Sequence, residues 1–277
     1  MALFGCFRLL PVAWASAVGG FLARGIGPRL GISRRARQNL RRALPELDAA
    51  ATERAVRGMW DNLGRVAAEY AHLGEYRVYE PGGRIEIVGA ENIRRYGAPG
   101  ERAIFFSGHF GNWEVATLAV TQAGLGVAEI YRAANNPFVD RIINEARSVV
   151  GSELVPKGTV AARRALAAVR EGRHLAMLVD QKMNDGIPVP FFGRDAMTAP
   201  ALARLALRYG CAVVPVRVDR LPHARFRITA EAPLSYQRTG DAARDTLALM
   251  TQVNQVLERW IREQPDHWFW LHRRWPE

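Results

Sequence analysis

Apolar positions in the first third of the chain recur at helical steps. Leu40, Leu44 and Leu47, then Val56, Met59, Trp60, Leu63 and Val66, fall three or four residues apart between Ile32 and about Leu73, which predicts two helices broken at Pro45. Ahead of them, Leu9 to Ala23 is mostly apolar and uncharged, flanked by Arg8 and Arg24. That stretch is shorter than the roughly 20 apolar residues a membrane-spanning helix needs. Arg29, Arg34, Arg35, Arg37, Arg41 and Arg42 follow it, so it predicts a helix lying in a membrane interface with its cations among lipid phosphates. A cleavable leader ending near Ala13-Trp14-Ala15 and a solvated basic helix are the competing readings.

Beyond Pro81-Gly82-Gly83 the texture changes to short apolar runs alternating with helical stretches. Strands are predicted at 84–88, 103–107, 127–131, 175–179, 212–218 and 226–229, and helices at 112–123, 136–150, 159–171, 199–209 and 241–264. This alternation implies an α/β fold: a mostly parallel central sheet flanked by helices, with a helical N-terminal extension and ligands at the carboxyl ends of the strands. Residues 1–30 read as the membrane-associated helix and residues 31–277 as one catalytic domain.

Charge sharpens the picture. With 38 Lys and Arg against 27 Asp and Glu, the net charge of +11 calls for an anionic partner. A basic nucleic-acid-binding protein would satisfy it, but the arginines are spread along the chain and no zinc, helix-turn-helix or RNA-binding signature occurs. Cys6 and Cys211 stand too far apart in sequence to suggest a metal site or a disulfide framework.

The candidate chemistry lies in Ser107-Gly108-His109-Phe110-Gly111-Asn112-Trp113-Glu114, where a buried-looking strand turns through two glycines into a helix. Five residues apart on one helix, His109 and Glu114 would point away from each other. With His109 in the turn and Glu114 in the first helical turn, the imidazole can fold back on the carboxylate, which would fix its tautomer and free the other nitrogen as a base. A structural histidine is the plain alternative. No Gly-x-Ser-x-Gly elbow, His-Glu-x-x-His or phosphate loop is present, so base-assisted attack by a bound hydroxyl is the chemistry left. Phe110, Trp113, Phe191 and Phe192 are candidates for an acyl pocket or for ordinary core. Asp180 ends an apolar strand, Arg132 closes another, and Arg147 sits late in a helix.

These residues resemble the bacterial late acyltransferases of lipid A biosynthesis, the lauroyl/myristoyl type with a His-x4-Glu or His-x4-Asp motif. The likeness covers nearly the whole chain: His109 to Glu114, Asn39 to Glu46, Met59 to Arg65, Tyr131-Arg132 with Asn136-Pro137, Asp180-Gln181, Pro190 to Gly193, and Trp268 to Trp275. It implies His109 as general base, Glu114 as its supporting acid, Arg147, following Asp140, as a substrate-binding residue, and Asp180 as a further site residue, while Arg132 is a substrate-binding candidate from its place at a strand end, where it could meet a phosphate. It also implies an acyl carrier protein or acyl-CoA thioester as donor, an anionic membrane lipid as acceptor, and work at the cytoplasmic face of the inner membrane without metal, cofactor or nucleic acid. The residues after Asp180-Gln181, Lys182 to Gly186, depart from the better-known members, and related acyltransferases act on lysophospholipids, mannosylated phosphoinositides or ornithine lipids, so the acceptor stays open.

Overall fold

The computed structural model describes residues 2–131, 133, 136–156 and 159–275, with side chains described from Gly5 onward except at 159–162. The chain opens with four helices, α1 (Ala2–Arg8), α2 (Val12–Ile26), α3 (Ser33–Ala43) and α4 (Ala49–Glu69). Pro45 falls in the break between α3 and α4, where Asp48 caps α4 by accepting the Ala51 N–H at 2.6 Å. Strands and helices then alternate: β1 (Ile85–Val88), α5 (Glu91–Arg94), β2 (Ala103–Ser107), α6 (Ala116–Thr121), β3 (Val127–Tyr131), α7 (Pro137–Arg147), β4 (Glu153–Pro156), α8 (Thr159–Arg170) and β5 (His174–Leu178). A hairpin of β6 (Lys182–Phe191) and β7 (Arg194–Thr198) precedes α9 (Ala201–Tyr209), β8 (Ala212–Leu221), β9 (Arg225–Ala230) and α10 (Ala242–Glu263).

Seven strands form one sheet in the order β1-β9-β8-β2-β5-β3-β4, with β8–β9 its antiparallel pair and the other pairings parallel. The fold is thus the α/β arrangement that the alternation of periods predicts. The sequence reading missed β4 and took no strands from 182 to 198, where β6 and β7 pair with each other outside the main sheet.

Strand alternation divides the core into two layers. Ile104 and Phe106 of β2 join one cluster with α9, α10 and the C-terminal tryptophans, while Ala103 and Phe105 join the other with α6. Trp260, Trp268 and Trp270 lie among the largest fully buried side chains, so α10 and the segment just after it belong to the core.

At the N-terminus, α2 lies against α4 at backbone contact. A Cβ at Gly19 would come within 2.4 Å of the Gly64 carbonyl, and one at Gly64 within 2.2 Å of the Gly19 carbonyl, so neither position admits a side chain without moving the helices. The opposite face of α2 is apolar and open: Trp14 is 69% exposed, Phe21 63% and Ile26 59%. Among the described residues, no helix is long and apolar enough to cross a membrane.

Candidate active site

The site grows from the adjacency of β2 and β5. Their register pairs Ser107 with Leu178, so the segments that follow emerge side by side at the carboxyl edge of the sheet, carrying His109 and Asp180. Asp180 Oδ1 accepts a hydrogen bond from His109 Nδ1 at 2.7 Å. Asp180 Oδ2 accepts from the His109 backbone N–H and from Trp268 Nε1, each at 2.7 Å. The carboxylate is fully buried. Burial opposes its ionisation, but the charge of His109, their hydrogen bonds and His272 outweigh burial and hold Asp180 well below the usual carboxylate range.

An acceptor on Nδ1 leaves that nitrogen protonated and makes Nε2 the lone-pair nitrogen of the neutral ring. Gln181 Nε2 donates to His109 Nε2 at 3.3 Å. Around this nitrogen opens a cleft of about 40 Å³ lined by Ile130, Tyr131, Arg147, Leu178 and Gln181. A small apolar slot adjoins it behind Glu129 and Leu178, walled by Phe105, Trp113, Ala116, Val120 and Val216. Glu129 borders both spaces, and burial first, then the neighbouring Glu114 charge, pushes its carboxyl above the ordinary range.

Glu114 does not meet His109, contrary to the expectation from the His-x4-Glu spacing. Residues 113–115 form a single 3-10 turn before α6, and from it the Glu114 carboxylate reaches partners other than the imidazole. It accepts Arg147 Nε and Nη2 at 2.6 Å each, and the Tyr70 hydroxyl at 2.6 Å. Burial disfavours the charged carboxylate, yet the Arg147 charge and these hydrogen bonds bring Glu114 below its ordinary value. Arg147 is buried too, so its guanidinium is committed to Glu114 while one side of it borders the cleft. Asp180 therefore takes the place at Nδ1 that the spacing suggested for Glu114.

The other expected residues divide. Trp113 lines the slot and lies 5.1 Å from His109 between ring centres. Phe110, Phe191 and Phe192 border neither the cleft nor the slot; they pack in the core, Phe110 on Trp260, and Phe191 and Phe192 on Trp275. Arg132 lies outside the described residues.

Several residues given no site role from the sequence hold the turn that carries His109 in shape. The backbone of 267–269 runs antiparallel to it, with Gly111 N–H donating to the His267 carbonyl and Phe269 N–H to the His109 carbonyl, both at 3.1 Å. Asn62 donates to the Gly111 carbonyl at 2.9 Å, and Asn39 clamps the carbonyls of Trp270 and His272, each at 2.9 Å. Glu69, fully buried, accepts from Asn112 at 2.8 Å, from Ser16 of α2 at 2.7 Å, and from Arg220. Gly111 has φ +56°, and a Cβ there would lie 2.0 Å from the Val218 carbonyl, which explains the second glycine of the motif.

His272 packs edge-on to His109 with ring centres 5.0 Å apart, and its Nε2 lies 4.0 Å from Asp180 Oδ2. His109, Asp180 and His272 each bring a ligand atom within 4.8 Å of the others, the grouping among the described residues that has metal-ligand spacing.

As a class, this is an α/β protein with a hydrogen-bonded His–Asp pair at the carboxyl edge of a parallel sheet, opening on a cleft beside an apolar slot. The bacterial lipid A biosynthesis acyltransferase family model matches residues 1–277, and the chain belongs to that family. It is 25% identical to the lipid A biosynthesis lauroyltransferase of Escherichia coli (strain K12) over 194 residues, which are 68% of this chain and 61% of that protein. The match thus spans less than two thirds of that relative. Over 272 residues, 97% of this chain and 87% of the relative, it is 22% identical to the phosphatidylinositol mannoside acyltransferase of Mycolicibacterium smegmatis (strain ATCC 700084 / mc(2)155).

Proposed function

We propose that this protein moves a fatty acyl chain from an acyl carrier protein or acyl-CoA thioester onto a hydroxyl of a lipid A precursor or related glycolipid, at the cytoplasmic face of the inner membrane. The observation that carries the proposal is His109 Nδ1 on Asp180, with the ring and Gln181, the partner of its Nε2, lining the cleft. In a complex of both substrates, His109 Nε2 takes the acceptor hydroxyl proton as the oxygen attacks the thioester carbonyl. Asp180, held ionised, stabilises the imidazolium that forms. As the tetrahedral intermediate collapses, the C–S bond breaks and the thiolate leaves with the proton from His109. The ester, the free thiol and the neutral imidazole result.

No acyl-enzyme is required by this route. Burial pushes the Cys211 thiol up to about 11, which leaves it un-ionised at neutral pH, and the Ser107 hydroxyl donates to the Gly108 carbonyl at 3.5 Å instead of to an imidazole. The apolar slot beside the cleft is the candidate space for the start of the acyl chain, with Trp113 as one wall. Glu114, Arg147 and Tyr70 act as positioning residues that fix α7 beside the cleft. The exposed apolar face of α2 supplies the contact with the bilayer, lying in one leaflet's interface.

A mannosylated phosphoinositide is the second acceptor reading, favoured by the nearly full-length alignment with the mycobacterial relative. Membranes carrying wild type or His109→Ala, given labelled acyl carrier protein and either a lipid A precursor or a phosphatidylinositol mannoside, test both. Label in the lipid A precursor, lost with His109→Ala, is the expected result. Label in the mannoside alone replaces the acceptor, and transfer that survives His109→Ala removes the base.

A further inference from the structure

A groove of about 520 Å³ lies between the end of α2 and α4, away from the cleft of His109. One wall is apolar, made by Phe21, Leu22 and Ile26, and the rim carries Arg24, Arg29 and Arg57. From this geometry we infer that the groove seats the phosphodiester headgroup of one anionic phospholipid, a site separate from the acyl-transfer cleft. The inference rests on the membrane contact proposed for α2.

Charge complementarity is the first argument. The carboxylate in the groove, Glu53, is taken in bidentate fashion by Arg37. Arg57 is exposed and makes no hydrogen bond or ion pair among the described residues. Arg29 spends one N–H on the Gly25 carbonyl, and Arg24, half-exposed, reaches Asp61 at 3.4 Å, so both keep further donors for a ligand. Arginine presents paired donors suited to phosphate oxygens. Arg24 and Arg29, together with Arg57, which feels the charge of Glu53 but makes no ion pair with it, thus face an open space sized for a headgroup.

Continuity with the apolar surface is the second argument. Nine of the fifteen large apolar side chains exposed among the described residues lie between Leu9 and Ile32. Phe21, Leu22 and Ile26 belong both to that surface and to the groove wall. A phospholipid whose chains lie beside these three would bring its phosphate to the level of Arg24, Arg29 and Arg57, whereas a free anion would use the arginines alone. Gly25 keeps the groove open: it lines the space, and nothing stands within 4 Å of where its Cβ would be.

The test uses the full chain and dihexanoyl phosphatidylglycerol below its micelle concentration, followed by titration calorimetry, with dihexanoyl phosphatidylcholine and inorganic phosphate as comparison probes. Saturable binding of one phosphatidylglycerol per protein is expected, with neither comparison probe displacing it. Arg57→Gln and Arg29→Gln should each weaken it by about fivefold or more. Gly25→Leu, which changes bulk and no charge, should abolish it, while the exposed Arg204→Gln on α9 leaves it unchanged. Displacement by inorganic phosphate, equal weakening by Arg204→Gln, or the absence of saturation would each overturn the site. Sedimentation with phosphatidylglycerol-containing vesicles separates the two levels: no sedimentation refutes the membrane contact, and sedimentation without one-to-one binding refutes the groove alone.

Discussion

Replacing Asp180 with asparagine keeps the side chain's shape and removes what the account asks of it. Three donors converge on the carboxylate: His109 Nδ1, the His109 backbone N–H and Trp268 Nε1, each at 2.7 Å. An amide has one oxygen. The two donors on the Oδ2 side hold that oxygen, which leaves the NH2 group facing Nδ1. The ring must then carry its proton on Nε2, the nitrogen that faces the cleft, and the base is gone. Wrong-tautomer substitution of this kind costs about 10⁴ in turnover where a buried aspartate orients a catalytic histidine. A buried amide with one N–H poorly placed should destabilise the fold by about 1–3 kcal/mol. Single-turnover acyl transfer, with urea unfolding alongside, separates the two effects. Turnover within about tenfold of wild type, in a folded Asp180→Asn protein, would refute the reasoning.

Other outcomes follow from the same geometry. Glu114→Gln breaks a buried ion pair and should cost about 3–5 kcal/mol at neutral pH, measured by urea unfolding. Because the folded Glu114 sits below its ordinary value, the pair's contribution is present above the unfolded carboxylate value of about 4.3 and is lost as pH falls through the folded one, so the gap to wild type should shrink below about pH 4. Trp268→Phe removes one donor to Asp180 and leaves a void where the indole packed; the charged hydrogen bond alone is worth about 1.5–3 kcal/mol, so calorimetry should show at least that loss. Gly111→Ala meets both a positive φ and the Val218 carbonyl, and should lower stability by about 3 kcal/mol or more, a Tm fall of roughly 6–12 °C, whereas Gly82→Ala, with φ +73° but open space around it, should cost only the conformational part, about 1–2 kcal/mol.

Much of this architecture was legible in the order of residues. Periodicity alone placed α3 and α4 around Pro45, and apolar runs marked β2, β3, β5, β8 and β9: β2 and β5 are buried almost throughout, β3 at Val127 and Ala128, β8 from Val213 to Val218, and β9 alternates buried with more exposed positions. The hairpin was illegible for another reason: Lys182 to Asp185 is exposed and carries only one apolar residue, Met183, and β6 finds its partner in β7 and not in the sheet. The dyad was half legible. His109 was evident from its turn, but proximity in sequence favoured Glu114, whereas proximity in space follows strand order. Asp180 lies 71 residues from His109 and becomes its neighbour because β5 pairs with β2. The signal was there in an acidic residue ending a second apolar strand. Trp268 had no such signal, since only the docking of the tail across residues 109–111 brings its indole to Asp180.

The central claim is direct transfer from thioester to hydroxyl with His109 as base. The measurement that meets it most directly is a rapid-quench reaction of stoichiometric labelled acyl-thioester, with and without acceptor lipid, following the intact protein mass and the labelled lipid together. The account predicts no gain of an acyl mass on the protein in either case, product only with acceptor, and loss of product by His109→Ala. A protein carrying the acyl group at kinetically competent rates, on Ser107, Cys211 or any other residue, would contradict it.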